Sequence, residues 1–328
     1  MNDDTNTSSS SSSSQPPGSP SKLDKNDRIL LFVITTSITL GILFPSFGII
    51  FEPYLLISLG ILLFLSLLKM NIGQLFMQFK KPIPLLIFTL LKLLFIPFIL
   101  FLITSKVYPA LALPVLLLSG ISTGLGAPFV INVLERSNRL PVVVGSVIVT
   151  SIAVPFVLPS LVYILIDHRE FNMPLVDMVI LLASALFLPL IGGWVMKRNV
   201  PAFTKKIETH SFVPSLVLIS IINLGIFAKY SDYFFAHSSF VGLMIVSSFA
   251  LFFVYGFVGY LAGYFLNKND KSFRIAAFVI MSYVNNVLVI VFAARFFGDE
   301  VATLAAFYNL SYYGMMIPIK WLFLDRQR

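Results

Sequence analysis

The sequence predicts an all-α polytopic membrane protein of ten transmembrane helices, from its apolar content, its loop spacing and the placement of its basic residues. Of 328 residues, 57% are apolar and 12% charged, against roughly 45–50% and about 25% in soluble domains. One apolar span needs about 20 residues, so the chain beyond its polar start has room for about ten. Of the 23 Lys and Arg residues, eighteen fall on the side of the N-terminus and four (Lys106, Arg169, Lys229 and Arg295) on the opposite side. That asymmetry places both termini in the cytoplasm of a multi-pass protein of the cell membrane.

Taken in order, residues 1–28 hold the run Ser8 to Ser14 and then Pro16, Pro17, Gly18 and Pro20. Such a stretch buries too little apolar surface to offset the entropy of ordering and reads as a disordered tail. The apolar runs that follow are 29–45, 52–68, 82–104, 109–134 and 140–166, which form a first five-helix repeat over 29–166. A second repeat over 174–323 holds 174–196, 212–229, 239–266, 273–297 and 301–323, and 324–328 is a cytoplasmic end. This division leaves 197–211 as a connecting loop. Tyr230, Tyr233, Trp321 and Phe323, close to span ends, read as interfacial anchors.

Several function classes are excluded early. The chain has no cysteine, and its histidines (His168, His210 and His237) lie outside the apolar cores. Thiolate catalysis, disulfides, cysteine-built zinc sites and other metal centres therefore have no support. No cofactor motif is present. The net charge of +8 belongs to the cytoplasmic loops and not to a nucleic-acid surface. Asp167, His168 and Glu170 are the one cluster that resembles an enzyme constellation, and their density on a short outer loop reads as a solvated turn.

Three features sit at membrane depth. The fourth span is interrupted by Gly120, Gly124, Gly126 and Pro128, and backbone that leaves the helical ladder there survives only inside protein or against a cavity. The ninth span carries Asn285 and Asn286 twelve and thirteen residues from its start, where asparagine side chains compete for backbone groups. The fourth and ninth spans are five apart, an odd offset that reverses direction, so the halves read as inverted repeats with a site where they meet. Lys92 lies eleven residues past Lys81 and fourteen before Lys106, which puts it near the midplane. The nearest acids, Glu135, Asp177 and Asp299, sit close to loops, so its partner is a carbonyl, a hydroxyl or an anionic ligand.

The order LGILLFLSLLKMNIGQLFMQFKKP, LLKLLFIPFILFL, the Gly-rich broken segment with NVLERSN, and SYVNNVLVIVFAARFFG resembles the bile acid:sodium symporter family. The resemblance implies two inverted five-helix repeats, a panel domain of the first, second, sixth and seventh helices beside a core domain, and fourth and ninth helices that unwind and cross. It also implies transport of organic anions and not enzymatic activity.

Four residues depart from what the resemblance implies. Met281 stands where the family has a sodium-binding glutamate, Pro128 and Phe129 where it has a Ser-Asn pair, and Lys92 where it has a sodium-site glutamine five residues before a proline. An ammonium about 4 Å from sodium is repelled by about 4 kcal/mol at an effective dielectric of 20, so ordinary two-sodium coupling is not expected. Either the Lys92 ammonium occupies a vacated cation site, with help from Thr150 or Ser151, or Lys92 titrates and couples transport to protons. The candidate ion-site residues are then Lys92, Met281, Asn285, Asn286, Thr150 and Ser151.

The expected activity is secondary active transport of a small or amphipathic carboxylate by alternating access, because helix N-termini at the breaks favour an anion. Ser119, Ser122, Thr123, Gly124, Gly126, Pro128 and Asn132 from the first half are candidates to face the substrate. Asn223, Ser282, Tyr283, Tyr308, Asn309 and Tyr312 join them from the second. The alternatives are a sodium-coupled symporter with a remodelled ion site and, from another class, a channel or a non-transporting sensor. The expected partners are the bilayer and a small organic anion, with a proton as the alternative coupling ion; the oligomeric state stays open.

Overall fold

The computed structural model describes residues 25–68, 82–124, 126–134, 139–166, 174–236 and 238–324. The N-terminal tail, the outer-loop trio Asp167, His168 and Glu170, and the C-terminal end lie almost wholly or wholly outside those residues. Helices make up nearly all of the described chain, and six are long and apolar enough to cross a membrane.

The helices are α1 (Lys25–Leu43), α2 (Leu55–Leu68), α3 (Pro82–Val107), α4 (Ala112–Gly120), α5 (Ala127–Leu134), α6 (Leu140–Leu165) and α7 (Leu175–Asn199). They continue as α8 (Pro201–His210), α9 (Phe212–Lys229), α10 (Ser238–Leu266), α11 (Lys271–Ser282), α12 (Asn286–Phe297), α13 (Asp299–Gly314) and α14 (Met316–Leu324). The stretch read as a loop is therefore helical in α8. Pro201 starts it where no amide bond is lost, and Lys197 of α7 reaches Glu208 at 3.5 Å. Short polar helices of this kind carry no membrane-length apolar run, which is why hydropathy passes over them.

Two helix groups emerge from the packing. In one, α1 lies on α9, and α2 packs against both α7 and α9. In the other, α10 packs on α11 and α13, α3 on α4, and α6 on α5 and α11. The groups meet where α7 touches α6 and α12 and where α2 touches α12. At one end they are tied by Lys229, whose ammonium lies 2.7 Å from Glu52 and 2.8 Å from Asp299. Glu52 follows α1 and Asp299 opens α13, so the lysine joins one group to the other. Tyr230, read from sequence as an interfacial anchor, is instead buried beside this knot, its hydroxyl 3.5 Å from Asp299. At the turn before α13, Gly298 has φ of +92°, a conformation that favours glycine.

Candidate functional site

The run from α4 to α5 breaks because Gly120, Gly124 and Gly126 weaken the helix and Pro128 lacks an amide proton. The run from α11 to α12 breaks at Tyr283, Val284 and Asn285. The two breaks meet as a short antiparallel crossing in which Thr123 faces Val284. Gly124 N donates to Tyr283 O at 2.7 Å and Asn285 N to Ser122 O at 2.9 Å. A Cβ on Gly124 would lie 2.4 Å from Val284 O, so only glycine lets the backbones approach. The crossing brings the C-termini of α4 and α11 and the N-termini of α5 and α12 to one place.

The carbonyls at the end of α11 each find a donor from elsewhere. Ile280 O accepts from the Thr123 hydroxyl at 3.0 Å, Met281 O from Lys92 Nζ at 2.8 Å and Ser282 O from the Tyr308 hydroxyl at 2.6 Å. These groups would otherwise be orphaned at the helix end, each at a cost of about 1–3 kcal/mol. Lys92 is 1% exposed and sits in a widened π turn over Leu91–Phe95. Pro97 explains the widening, since its ring would clash with the Leu93 carbonyl four residues earlier. A cation at the C-terminus of α11 also meets the negative end of that helix dipole.

On the other side of the crossing, Thr123 N donates to the Thr150 hydroxyl at 3.0 Å, and that hydroxyl donates to Ser146 O at 2.7 Å. Thr150 thus supports the backbone of the first break. Ser122, Ser146 and Ser151 carry buried hydroxyls with no hydrogen-bond partner.

A cavity of about 210 Å³ lies between the two helix groups. Of the candidates named from sequence, Gly124, Gly126, Asn285, Asn286, Asn309 and Tyr312 line it. Others serve the frame. Ser119 and Ser282 turn their hydroxyls back onto Val115 O and Phe278 O, and Tyr283 packs edge-on against Tyr312 and Phe252. Pro128 opens α5 without lining the cavity. Asn223 is buried between α9 and α1, donating to the Ser37 hydroxyl at 3.3 Å. The Asn132 side chain lies outside the described set.

Sequence reasoning missed the opposite wall of the cavity, which is Leu30 and Ile34 of α1, Leu59 of α2, and Phe212, Ser215 and Leu216 of α9. Apolar residues on a membrane helix read the same whether they face lipid or a cavity, so composition holds no signal for them. Among the described residues no group of His, Asp and Glu is placed to hold a metal ion.

No curated protein matches the chain. Residues 56–237 match the Sodium Bile acid symporter family, a stretch that contains Lys92 and the first break and leaves the second break outside it. Because the match covers more than half of the 328 residues, the chain belongs to the sodium bile acid symporter family, whose members are membrane transporters and not enzymes.

Proposed function

We propose that the protein moves a small carboxylate across the membrane by alternating access, with the Lys92 ammonium standing where a family member would hold a cation. The observation that carries this reading is the bond from Lys92 Nζ to Met281 O, 2.8 Å long and fully enclosed at the end of a broken helix. The separate packing of α1, α2, α7 and α9 supports a panel moving against a core, and the two half-length helices α5 and α12 support inverted repeats with ten crossings. The cavity lies against Leu30 and Ile34 of α1 and against Phe212 and Ser215 in the first turn of α9, while the Lys229 knot ties the groups at the other end. With cytoplasmic termini, this is an inward-facing arrangement. The carboxylate is received at the N-terminus of α12, whose first amides have no partner within the helix.

Counterflow of a labelled carboxylate in proteoliposomes tests the proposal. Saturable exchange that persists when choline replaces sodium is the expected result. A strict sodium requirement rejects the Lys92 role, and flux without counterflow indicates a pore. One observation favours the second reading of a remodelled sodium site: the unpartnered hydroxyls of Ser122, Ser146 and Ser151 could serve as oxygen ligands. Sodium-specific thermal stabilisation of the ligand-free protein would select that reading.

A further inference from the structure

The end of α10 and the start of α11 gather cations against aromatic rings. Gly263 lets the two helices close on one another: a Cβ there would lie 3.0 Å from Arg274 Cα and 2.9 Å from Ala277 Cβ. That approach lays the Arg274 guanidinium over two rings one turn apart on α10, 5.3 Å from the Tyr260 centroid and 5.8 Å from that of Tyr264. Lys268, in the turn between the helices, brings its ammonium to 5.7 Å from the same Tyr264 ring. Phe323 of α14 stacks on Tyr260 at 5.9 Å, and Lys271 donates to Phe323 O at 2.8 Å, so α14 is fastened to the cluster.

Ring faces attract a cation but leave most of its hydrogen-bond donors unused. Arg274 Nε is enclosed and without a partner, whereas the two terminal nitrogens are not enclosed and stay open to an incoming group. Lys268 is exposed. Asp270, the acid nearest to both in sequence, is committed to Arg139 and to the Phe273 amide. Beside these cations α10 presents Phe257, Leu261 and Phe265, which are 65%, 41% and 77% exposed and, at every fourth residue, form one stripe. A cationic surface and a hydrocarbon surface therefore lie side by side at one end of the membrane span.

We propose that Arg274 and Lys268 receive the phosphate of an anionic phospholipid whose acyl chains lie along the Phe257, Leu261 and Phe265 stripe. A guanidinium matches phosphate oxygens with a fork of donors, and basic pockets between membrane helices bind acidic headgroups. Tyr260 and Tyr264 stand at the headgroup level that tyrosines favour. A zwitterionic headgroup carries its own ammonium, which two uncompensated cations repel. Free phosphate would use the same cations but leave the apolar stripe without a part. The site belongs to the helix group that holds both breaks, since α11 ends at the carbonyl that takes Lys92, and it does not depend on what the protein transports.

Native mass spectrometry of the purified full chain tests it. The probes are phosphatidylglycerol and phosphatidylcholine with identical acyl chains, and glycerol 3-phosphate as a headgroup without chains. Phosphatidylglycerol should be retained about tenfold or more tightly than phosphatidylcholine, and glycerol 3-phosphate at the same concentration should not displace it. Arg274→Gln combined with Lys268→Gln should bring phosphatidylglycerol down to the phosphatidylcholine level. Lys205→Gln combined with Lys206→Gln removes as much charge from exposed positions of α8 and should leave the preference intact. Equal retention of the two lipids by the wild-type protein overturns the proposal. So does a preference that survives the loss of Arg274 and Lys268, or one that falls equally in the α8 variant. Displacement by glycerol 3-phosphate indicates a free-anion site and overturns the lipid assignment. If the double variant does not fold, Lys268→Gln alone should lower the preference about threefold, and an unchanged preference there overturns the shared site.

Discussion

Between Gly120 and Ala127 the chain leaves the helix on a stretch that holds Ser122, Thr123, Gly124 and Gly126, whereas between Ser282 and Asn286 it leaves on a tyrosine, a valine and an asparagine. The first break gives the crossing its closeness: Gly124 has no room for a Cβ, and Gly126 lies under the Tyr312 hydroxyl, 2.1 Å from where its own Cβ would be. The second break gives the crossing its chemistry. Its carbonyls take up a lysine and two hydroxyls, and Asn286 reaches across to Ala305 O and Asn309 Oδ1. The helices that follow differ too, since Pro128 removes an amide donor from the first turn of α5 while α12 starts on Asn286 with its amides intact. The first break thus serves close approach and the second serves side-chain chemistry.

The largest expected effect tests the scaffold half. Gly124→Ala drives a methyl into the Val284 carbonyl, and neither backbone can move without pulling the crossing apart. A loss of about 3 kcal/mol is expected, the upper part of the usual range for overpacking. Gly314→Ala, with nothing within 4 Å, serves as the control. Equal melting temperatures for the two variants in detergent would break the contrast.

Next comes the chemical half. Lys92→Met leaves Met281 O unpaired and removes the cation at the end of α11, so stability should fall by about 1–3 kcal/mol and counterflow should be lost. Thr123→Val frees Ile280 O in the same way but keeps the charge. It should cost about 1 kcal/mol and retain counterflow, so a stronger loss in Thr123→Val than in Lys92→Met would reverse the assignment. Smallest of all is Lys229→Met. Its ion pairs are partly exposed, with Lys229 at 22%, Glu52 at 36% and Asp299 at 48% side-chain exposure, and such pairs contribute below about 1 kcal/mol. The same variant should retain counterflow, because Lys229, Glu52 and Asp299 are not among the residues that line the cavity.

How much of this was legible in the sequence follows from which atoms carry the signal. The first break announces itself through Gly120, Gly124, Gly126 and Pro128, whose backbone properties are known from residue type alone. Lys92 is conspicuous because charge at membrane depth is costly, and the expectation that it meets a carbonyl, a hydroxyl or an anion agrees with its bond to Met281 O. Which carbonyl it meets was not legible, since every residue has one. The same limit hid the π turn around Lys92, the pairing of Asn223 with Ser37, and the apolar wall from α1 and α9. Polar residues in a membrane helix stand out, but their hydrogen-bond partners do not. Tyr230 shows the converse: proximity to a span end suggested an interfacial anchor, while the fold buries it with its hydroxyl towards Asp299.

In the proposed transport cycle a lysine fixed to the second break stands in for a bound cation. Counterflow of a labelled small carboxylate, measured with sodium, potassium or choline as the only monovalent cation on both sides, tests that role. Equal saturable rates are expected in all three, with their loss in Lys92→Met. Rates that require sodium in the wild-type protein would contradict it.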